Sequence, residues 1–248
     1  AGMTYCVGLK LNRGLVMMSD TRTNAGVDNI SVFRKMFLWE TEGERSITLM
    51  TAGNLATTQA VVSLLSERAK PAEERGQPSI LEAPSMFQAA KLVGETLREV
   101  IADQSGVEGP QADSPFSATL ILAGQVRGGE PRLFLIYPEG NFVEASVDTP
   151  FFQIGETKYG KPILVRAYDA DMSFEDAVKL LMLSFDSTIK ANLSVGLPLD
   201  LHLYEVDSFR HGVIRRIERE DPFFEMISSG WGEALKEAFR RLPSYSLD

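Results

Sequence analysis

The chain has 248 residues, with 34 acidic and 25 basic side chains, one cysteine and two histidines. That length suits one α/β domain or two small ones, and it buries a large core without help from disulfides or metal. One cysteine excludes an internal disulfide and fits a reducing compartment, two histidines with one cysteine are too few for the usual zinc sites, and the net charge of −9 argues against nucleic acid or an anionic membrane as main partner. No run of about 18 apolar residues is present to span a bilayer. Nothing at the start reads as a secretion signal, so a cytoplasmic location is expected. A histidine-based triad would have to use His202 or His211.

Ala1-Gly2-Met3 reads as a tag remnant followed by a start methionine. Removing that methionine would expose Thr4.

Residues 4–11 read as a strand, and Asn12-Arg13-Gly14 supplies a tight turn. Leu15-Val16-Met17-Met18 is nearly continuously apolar, as in a strand buried on both faces. Residues 32–40 and 46–52 read as a further strand pair. Asn54 is expected to cap a helix to about residue 68, with Ala60, Val61, Leu64 and Leu65 on one face. Residues 70–83 read as a loop. A second helix over 85–102 buries Met86, Ala89, Ala90, Val93, Leu97, Val100 and Ile101.

After a loop at 104–115, strands return at 117–123, 132–137, 142–145 and 151–154, separated by Arg127-Gly128-Gly129 and Pro138-Glu139-Gly140. Ser173 caps the clearest helix, whose Phe174, Ala177, Val178, Leu181, Met182, Phe185 and Ile189 recur at helical spacing. Strands at 199–206 and 212–217 follow. Asp221-Pro222 then opens a C-terminal helix with Trp231, Ala234, Leu235, Ala238 and Leu242 on its apolar face. Runs of strands broken by helix pairs predict an α+β fold with helices packed on stacked antiparallel sheets, not a doubly wound sheet. No linker divides the chain, so residues 4–248 are read as one domain.

Several candidate sites have a plain alternative. Gly155-Glu156-Thr157-Lys158-Tyr159-Gly160-Lys161-Pro162 has a G-x-x-x-x-G-K core, but Pro162 stands where a phosphate-binding loop needs a hydroxyl for magnesium. A tight turn into a short helix is the expected structure. His202 lies in an alternating strand, on the face opposite Leu201 and Leu203, and His211 precedes a turn glycine. Surface or packing roles are expected for both. Cys6 is expected to be a buried structural thiol.

Ser19-Asp20-Thr21-Arg22 ends a buried apolar strand, where polar groups must be paired or functional. Asp20 is either a strand-end cap or a partner for Lys35. Lys35, between Phe33 and Phe37 in an expected strand, is either solvent-facing or buried against Asp20.

Asp20 follows Thr4 by sixteen residues, Lys35 follows Asp20 by fifteen, and Gly53 closes Thr51-Ala52-Gly53 eighteen further on. With the strand order and the Gly53 turn into a helix, this resembles the proteasome β-subunit among the N-terminal nucleophile (Ntn) hydrolases. The stretches 4–9, 19–28 and 154–162 resemble those of its bacterial homologues, the Anbu group. The resemblance implies a four-layer αββα sandwich and a threonine peptidase or amidohydrolase that needs no cofactor and no metal.

In such an enzyme Thr4, once N-terminal, is the nucleophile and its α-amine, of ordinary pKa about 7.7–8.0, is the base. Lys35 favours the neutral amine and stabilises charge on the threonine oxygen, Asp20 holds Lys35, and Gly53 offers its N–H to the oxyanion. The resemblance also places Thr23, Arg34, Thr51 and Leu55 near the residue preceding the cut. Arg34 either selects an acidic side chain or forms a surface ion pair.

Two departures from the family pattern stand out. Gly155-Glu156-Thr157 occupies the place of Gly-Ser-Gly, so a carboxylate replaces the serine that assists the amine. The family's Asp-x-x-Ser-Gly is not intact either, leaving Asp186, Asn192 and Ser194 as possible supporting residues. A degenerate or narrowly specific hydrolase fits better than a general protease, and an Ntn-fold scaffold with little catalysis is the alternative. Nucleotide binding at 155–161 is a third reading. The resemblance further implies a large ring-like or helical homo-oligomer acting on a peptide or amide substrate. With residues 1–3 attached, Thr4 has an amide nitrogen and is expected to be inactive.

Overall fold

The computed structural model describes residues 4–24, 30–74, 76–106 and 114–248. The reading of residues 1–3 lies outside the described residues, as do parts of the 19–28 stretch and of the loops at 70–83 and 104–115. In chain order the elements are β1 (Tyr5–Leu11), β2 (Gly14–Ser19), β3 (Arg22–Asn24), β4 (Ile30–Val32), β5 (Met36–Thr41), β6 (Arg45–Gly53), α1 (Leu55–Glu67), α2 (Met86–Ser105), β7 (Ala118–Val126), β8 (Arg132–Ile136), β9 (Phe142–Glu144), β10 (Phe151–Gly155), α3 (Lys161–Ala167), α4 (Phe174–Ala191), β11 (Leu199–Glu205), β12 (Val213–Ile217) and α5 (Pro222–Arg241).

Two five-stranded sheets are formed, in the orders β10-β1-β2-β11-β12 and β5-β6-β7-β8-β9. Every pairing is antiparallel. The continuous apolar run in β2 has a direct cause. Val16 and Met18 face the helices on the first sheet, while Leu15 and Met17 face the second sheet. A strand between two cores has no polar side to show. β7 does the same in the second sheet, with Leu120 and Leu122 under α1 and α2 and Ile121 and Ala123 between the sheets. Three stacked cores make the four layers α, β, β, α.

The helix starts form as their sequences dictate. Asn54, Ser85, Ser173 and Asp221 each accept an N–H from three residues on. Such caps contribute about 1 kcal/mol apiece.

One expectation needs correction. The single strand over 32–40 is split: β4 ends at Val32, and residues 33–35 leave the ladder before β5 starts at Met36. The break turns Lys35 inward, where it is 5% exposed, in line with the second of its two readings, a lysine buried against Asp20. The apolar face of the C-terminal helix is largely exposed. Phe224 is its one buried residue among those described, while Leu235, Phe239 and Leu242 are open to solvent. Only the first turns of α5 rest on the first sheet's helix layer, through Phe224 and Ile227.

Candidate active site

Three elements bring the site together. β1 starts beside Thr4, β2 ends at Asp20, and the 33–35 break delivers Lys35. The strands are locked end to end, because Asp20 N donates to Tyr5 O at 3.0 Å and Tyr5 N donates back to Asp20 Oδ1 at 3.1 Å. Thr4 is 8% exposed and Asp20 0%, so their polar groups must find partners inside the protein.

Lys35 supplies them. Its ammonium donates to Thr4 Oγ1 at 2.9 Å, to Asp20 Oδ1 at 2.8 Å and to the carbonyl oxygen of Arg22 at 2.7 Å. The second oxygen of Asp20 accepts the Gly196 N–H at 3.4 Å. Burial pushes the Asp20 carboxyl above its ordinary range, and the Lys35 charge and hydrogen bond pull it back. A cation donating to the threonine oxygen favours negative charge there. That is the electrostatic need of a hydroxyl about to become a nucleophile.

Two glycines close the site for steric reasons. Gly53 has φ 118°, and a Cβ there would meet Ser117 O at 2.6 Å and Ala118 Cα at 2.7 Å. Glycine is required there by the backbone angle and by the close approach of Ser117 and Ala118. Gly155 has φ 84°, and a Cβ there would meet Thr4 O at 1.8 Å. The same carbonyl accepts the Glu156 N–H at 2.7 Å. Register Tyr5↔Gly155 thus lays the Glu156 turn against the Thr4 backbone.

A buried chain of hydrogen bonds fixes that turn from below. Ser184 Oγ donates to Gly160 O at 3.0 Å, which commits its proton and makes it the acceptor for Tyr5 OH at 2.7 Å. Gln153 Nε2 in turn donates to Tyr5 OH at 2.7 Å and to Thr157 O at 3.2 Å. Burial pushes the Tyr5 phenol up to about 12, so it is neutral and able to donate. Gly160 has no room for a Cβ above Ser184 and Tyr5. The G-x-x-x-x-G-K segment is therefore a turn into the short helix α3, as its proline suggested.

The remaining candidates are dispersed. Asp186 Oδ2 pairs with Lys190 at 3.0 Å on α4. Asn192 Oδ1 accepts both the N–H and the hydroxyl of Ser194, at 3.0 and 2.6 Å. The segment after α4 reaches the site through backbone groups: Gly196 N on Asp20, and Leu193 O accepting from Arg22 at 2.7 Å. Thr23 is half-buried in β3, Leu55 half-buried at the start of α1, and Thr51 buried, its N–H donating to Lys35 O at 2.9 Å. Arg34 lines a different cleft, with Met36 and His202.

Cys6 is buried, its thiol donating to Thr51 O, and burial pushes that thiol up. His202 does point away from Leu201 and Leu203, but it is buried between the sheets with Nδ1 2.8 Å from Thr48 Oγ1. His211 pairs with Glu40 at the surface. Among the described residues, no group of three or more His, Cys, Asp or Glu is placed to hold a metal ion, and no helix is long and apolar enough to cross a membrane.

Sequence reasoning missed Gly196, the Arg22 carbonyl and the Tyr5–Ser184–Gln153 chain. Backbone donors and acceptors leave no residue-type signal, and Tyr5 read simply as part of an apolar strand.

The chain belongs to the proteasome subunit family, whose model matches residues 2–196. It is 24% identical over 211 residues to a proteasome subunit beta 2 of Pyrobaculum calidifontis, covering 84% of this chain and 92% of that one. Among solved structures it is similar to Anbu (ancestral beta-subunit) from Yersinia bercovieri, at 49% identity and a TM-score of 0.91, covering 98% of this chain and all of the other. It is also similar to the helical assembly of the Anbu complex from Pseudomonas aeruginosa, at 46% identity and a TM-score of 0.89, covering 98% and 99%. These likenesses agree with the αββα arrangement of an Ntn hydrolase.

Proposed function

We propose that the chain is a threonine peptidase or amidohydrolase acting through Thr4 once that residue is N-terminal. The observation that carries this reading is the single ammonium of Lys35 bonded to both Thr4 Oγ1 and Asp20, at 2.9 and 2.8 Å. The Thr4 oxygen attacks the substrate carbonyl carbon while its proton passes to the Thr4 α-amine. The resulting oxyanion is held by the Gly53 N–H. As the tetrahedral adduct collapses, the amine's proton goes to the leaving nitrogen, and the C–N bond breaks to give an ester on Thr4. Water, deprotonated by the same amine, then attacks that ester and frees Thr4.

Residues 1–3, read as a tag remnant and start methionine before a domain of residues 4–248, turn that amine into an amide. An amide is no base, so a chain that keeps residues 1–3 is inactive in this scheme. Glu156, in the turn held against Thr4, favours a protonated amine if its carboxylate faces it, which lowers the fraction of free base near neutral pH. A narrow substrate range or slow turnover follows from that.

Self-assembly belongs to the same reading. The Pseudomonas aeruginosa relative forms a helical assembly. Phe239 at 78% and Leu242 at 68% exposure give α5 an apolar face suited to a second copy. No nucleic-acid or membrane partner is proposed, and the single buried cysteine fits the cytoplasm. The second reading, a scaffold with little catalysis, is favoured by Glu156 at the serine position. Exposing Thr4 and treating the chain with an N-terminal-threonine-directed covalent inhibitor separates the two: labelling at Thr4 supports the enzyme, and no labelling of the folded chain supports the scaffold.

A further inference from the structure

β10 ends the first sheet, so one of its edges pairs with β1 and the other with no described strand. The pairing fixes which backbone groups face out. Lys10 N donates to Pro150 O and Glu156 N donates to Thr4 O, so Phe152 and Ile154, in step with them, turn their amides toward β1. Phe151 and Gln153 therefore point their backbone N–H and C=O away from the sheet, and no described residue bonds to those groups.

A trough of about 620 Å³ runs along that open edge, lined by Phe151, Gln153, Val165 and Tyr168 among others. Phe151 and Gln153 send their side chains to the helix side of the sheet, where Phe151 packs beside Tyr168 and Gln153 donates to Tyr5 OH. Val165, on α3, is 61% exposed and gives the trough an apolar wall. Outward amides at two-residue spacing beside apolar ground are what an added extended segment takes up.

The same chain carries such a segment. Residues 243–248 follow α5 without forming a helix or strand of their own. Tyr245 is 88% exposed and Leu247 93%. Two residues apart, they share one face of an extended segment, with Ser244 and Ser246 on the other. Their spacing equals that of Phe151 and Gln153. They also continue the exposed apolar series of Phe239 and Leu242, and apolar groups exposed together mark a contact surface.

We infer that residues 243–248 of one copy add as an antiparallel strand to the β10 edge of a second copy. Tyr245 then exchanges backbone hydrogen bonds with Gln153, and Leu247 with Phe151. Residues paired in this way carry their side chains on the same face, so Tyr245 and Leu247 lie over Val165 and Tyr168 while the serines face the other side. Pro243, which lacks an N–H, falls opposite Gly155, where β10 ends. The contact is heterologous, because two different patches meet, and repeated from copy to copy it builds a ring or a helix. It rests on the self-assembly proposed above and does not depend on whether Thr4 is catalytic.

The test uses the full chain carrying Tyr245→Asp/Leu247→Asp, which leaves its own β10 edge free, and a fluorescent peptide of residues 242–248 read by anisotropy. One saturable site per chain is expected. Affinity falls at least tenfold when the peptide is N-methylated at Tyr245, whose N–H meets β10, and holds when it is N-methylated at Ser246, whose N–H points away. It also falls at least tenfold when Val165→Asp is added to the receptor, and holds with Val213→Asp, an exposed position on β12. Circular dichroism and an unfolding midpoint equal to the parent show that each receptor is folded. In sedimentation velocity the wild-type chain associates at least tenfold more tightly than the Tyr245→Asp/Leu247→Asp chain. No saturable peptide binding, equal binding of the two N-methylated peptides, an equal loss with Val213→Asp, or equal association of the wild-type and doubly substituted chains overturns this inference alone. A wild-type chain that stays monomeric at every concentration overturns the self-assembly reading and this inference with it.

Discussion

The Lys35 ammonium lies 2.9 Å from the Thr4 hydroxyl and donates to it. A cation in that position cannot remove the hydroxyl proton. It stabilises the oxygen that results, and the proton has to go elsewhere. In the proposed mechanism this division of labour calls for the α-amine as base and makes the residue before Thr4 decide whether the site works.

Replacing Lys35 has two separable effects. Lys35→Met leaves the Asp20 carboxylate buried without its cation, which costs about 3–5 kcal/mol in a protein interior. Lys35→Met/Asp20→Asn recovers part of that loss, because no charge is left behind. Neither recovers turnover, which falls at least a thousandfold in both on a Thr4-initiated chain. Urea unfolding beside a peptide-cleavage assay reads the two effects.

Gly155→Ala tests the close approach of the Glu156 turn. The added methyl lies 1.8 Å from Thr4 O at φ 84°, so the turn has to move. A loss of about 1–3 kcal/mol for the strained backbone is expected, together with turnover reduced beyond what Gly43→Ala produces. Gly43 also has positive φ, at 78°, but has nothing near its Cβ position.

Tyr5→Phe removes one hydroxyl from the chain that runs Gln153, Tyr5, Ser184, Gly160. It strands a Gln153 donor and a Ser184 lone pair, and costs about 1–3 kcal/mol. Hydrogen exchange should quicken at residues 157–161 while the paired amides of β2 stay protected. Unchanged exchange there would show that the network does not hold the turn.

Stability should depend on pH through His202. Its pKa is about 4 in the fold against 6.5 in the unfolded chain. The folded value is the depressed one, so the unfolded state takes up protons first as pH falls. Stability is therefore full above pH 6.5 and is lost progressively toward pH 4, by about 3 kcal/mol. His202→Gln should show a shallower decline over that window. Chemical unfolding at fixed chain concentration between pH 7 and pH 4 measures the difference.

The fold was largely legible in the sequence because its strands and helices follow simple periods. The 3.6 spacing in α2 and α4 matched the buried faces, and the unbroken apolar run of β2 announced a strand between two cores. Thr4, Asp20 and Lys35 were visible through their spacing and the family resemblance. Lys35 was misplaced on a strand because Phe33 and Phe37 flank it at strand spacing, and nothing local announces the break that turns it inward. The apolar stripe of α5 was read correctly as a stripe, but periodicity does not say what covers a face. Gly196 and the Arg22 carbonyl act through their backbones, which any residue carries. His202 looked ordinary because its distinction, a partnerless nitrogen, arises only when the sheets stack.

The most direct measurement is the intact mass of a chain beginning at Thr4 after treatment with an electrophile specific for N-terminal threonine, followed by peptide mapping. The account predicts one adduct per chain, located on Thr4 and absent from Lys35→Met and from the chain that retains residues 1–3. Peptide turnover by a chain still carrying residues 1–3, or no adduct on a folded Thr4-initiated chain, would contradict it.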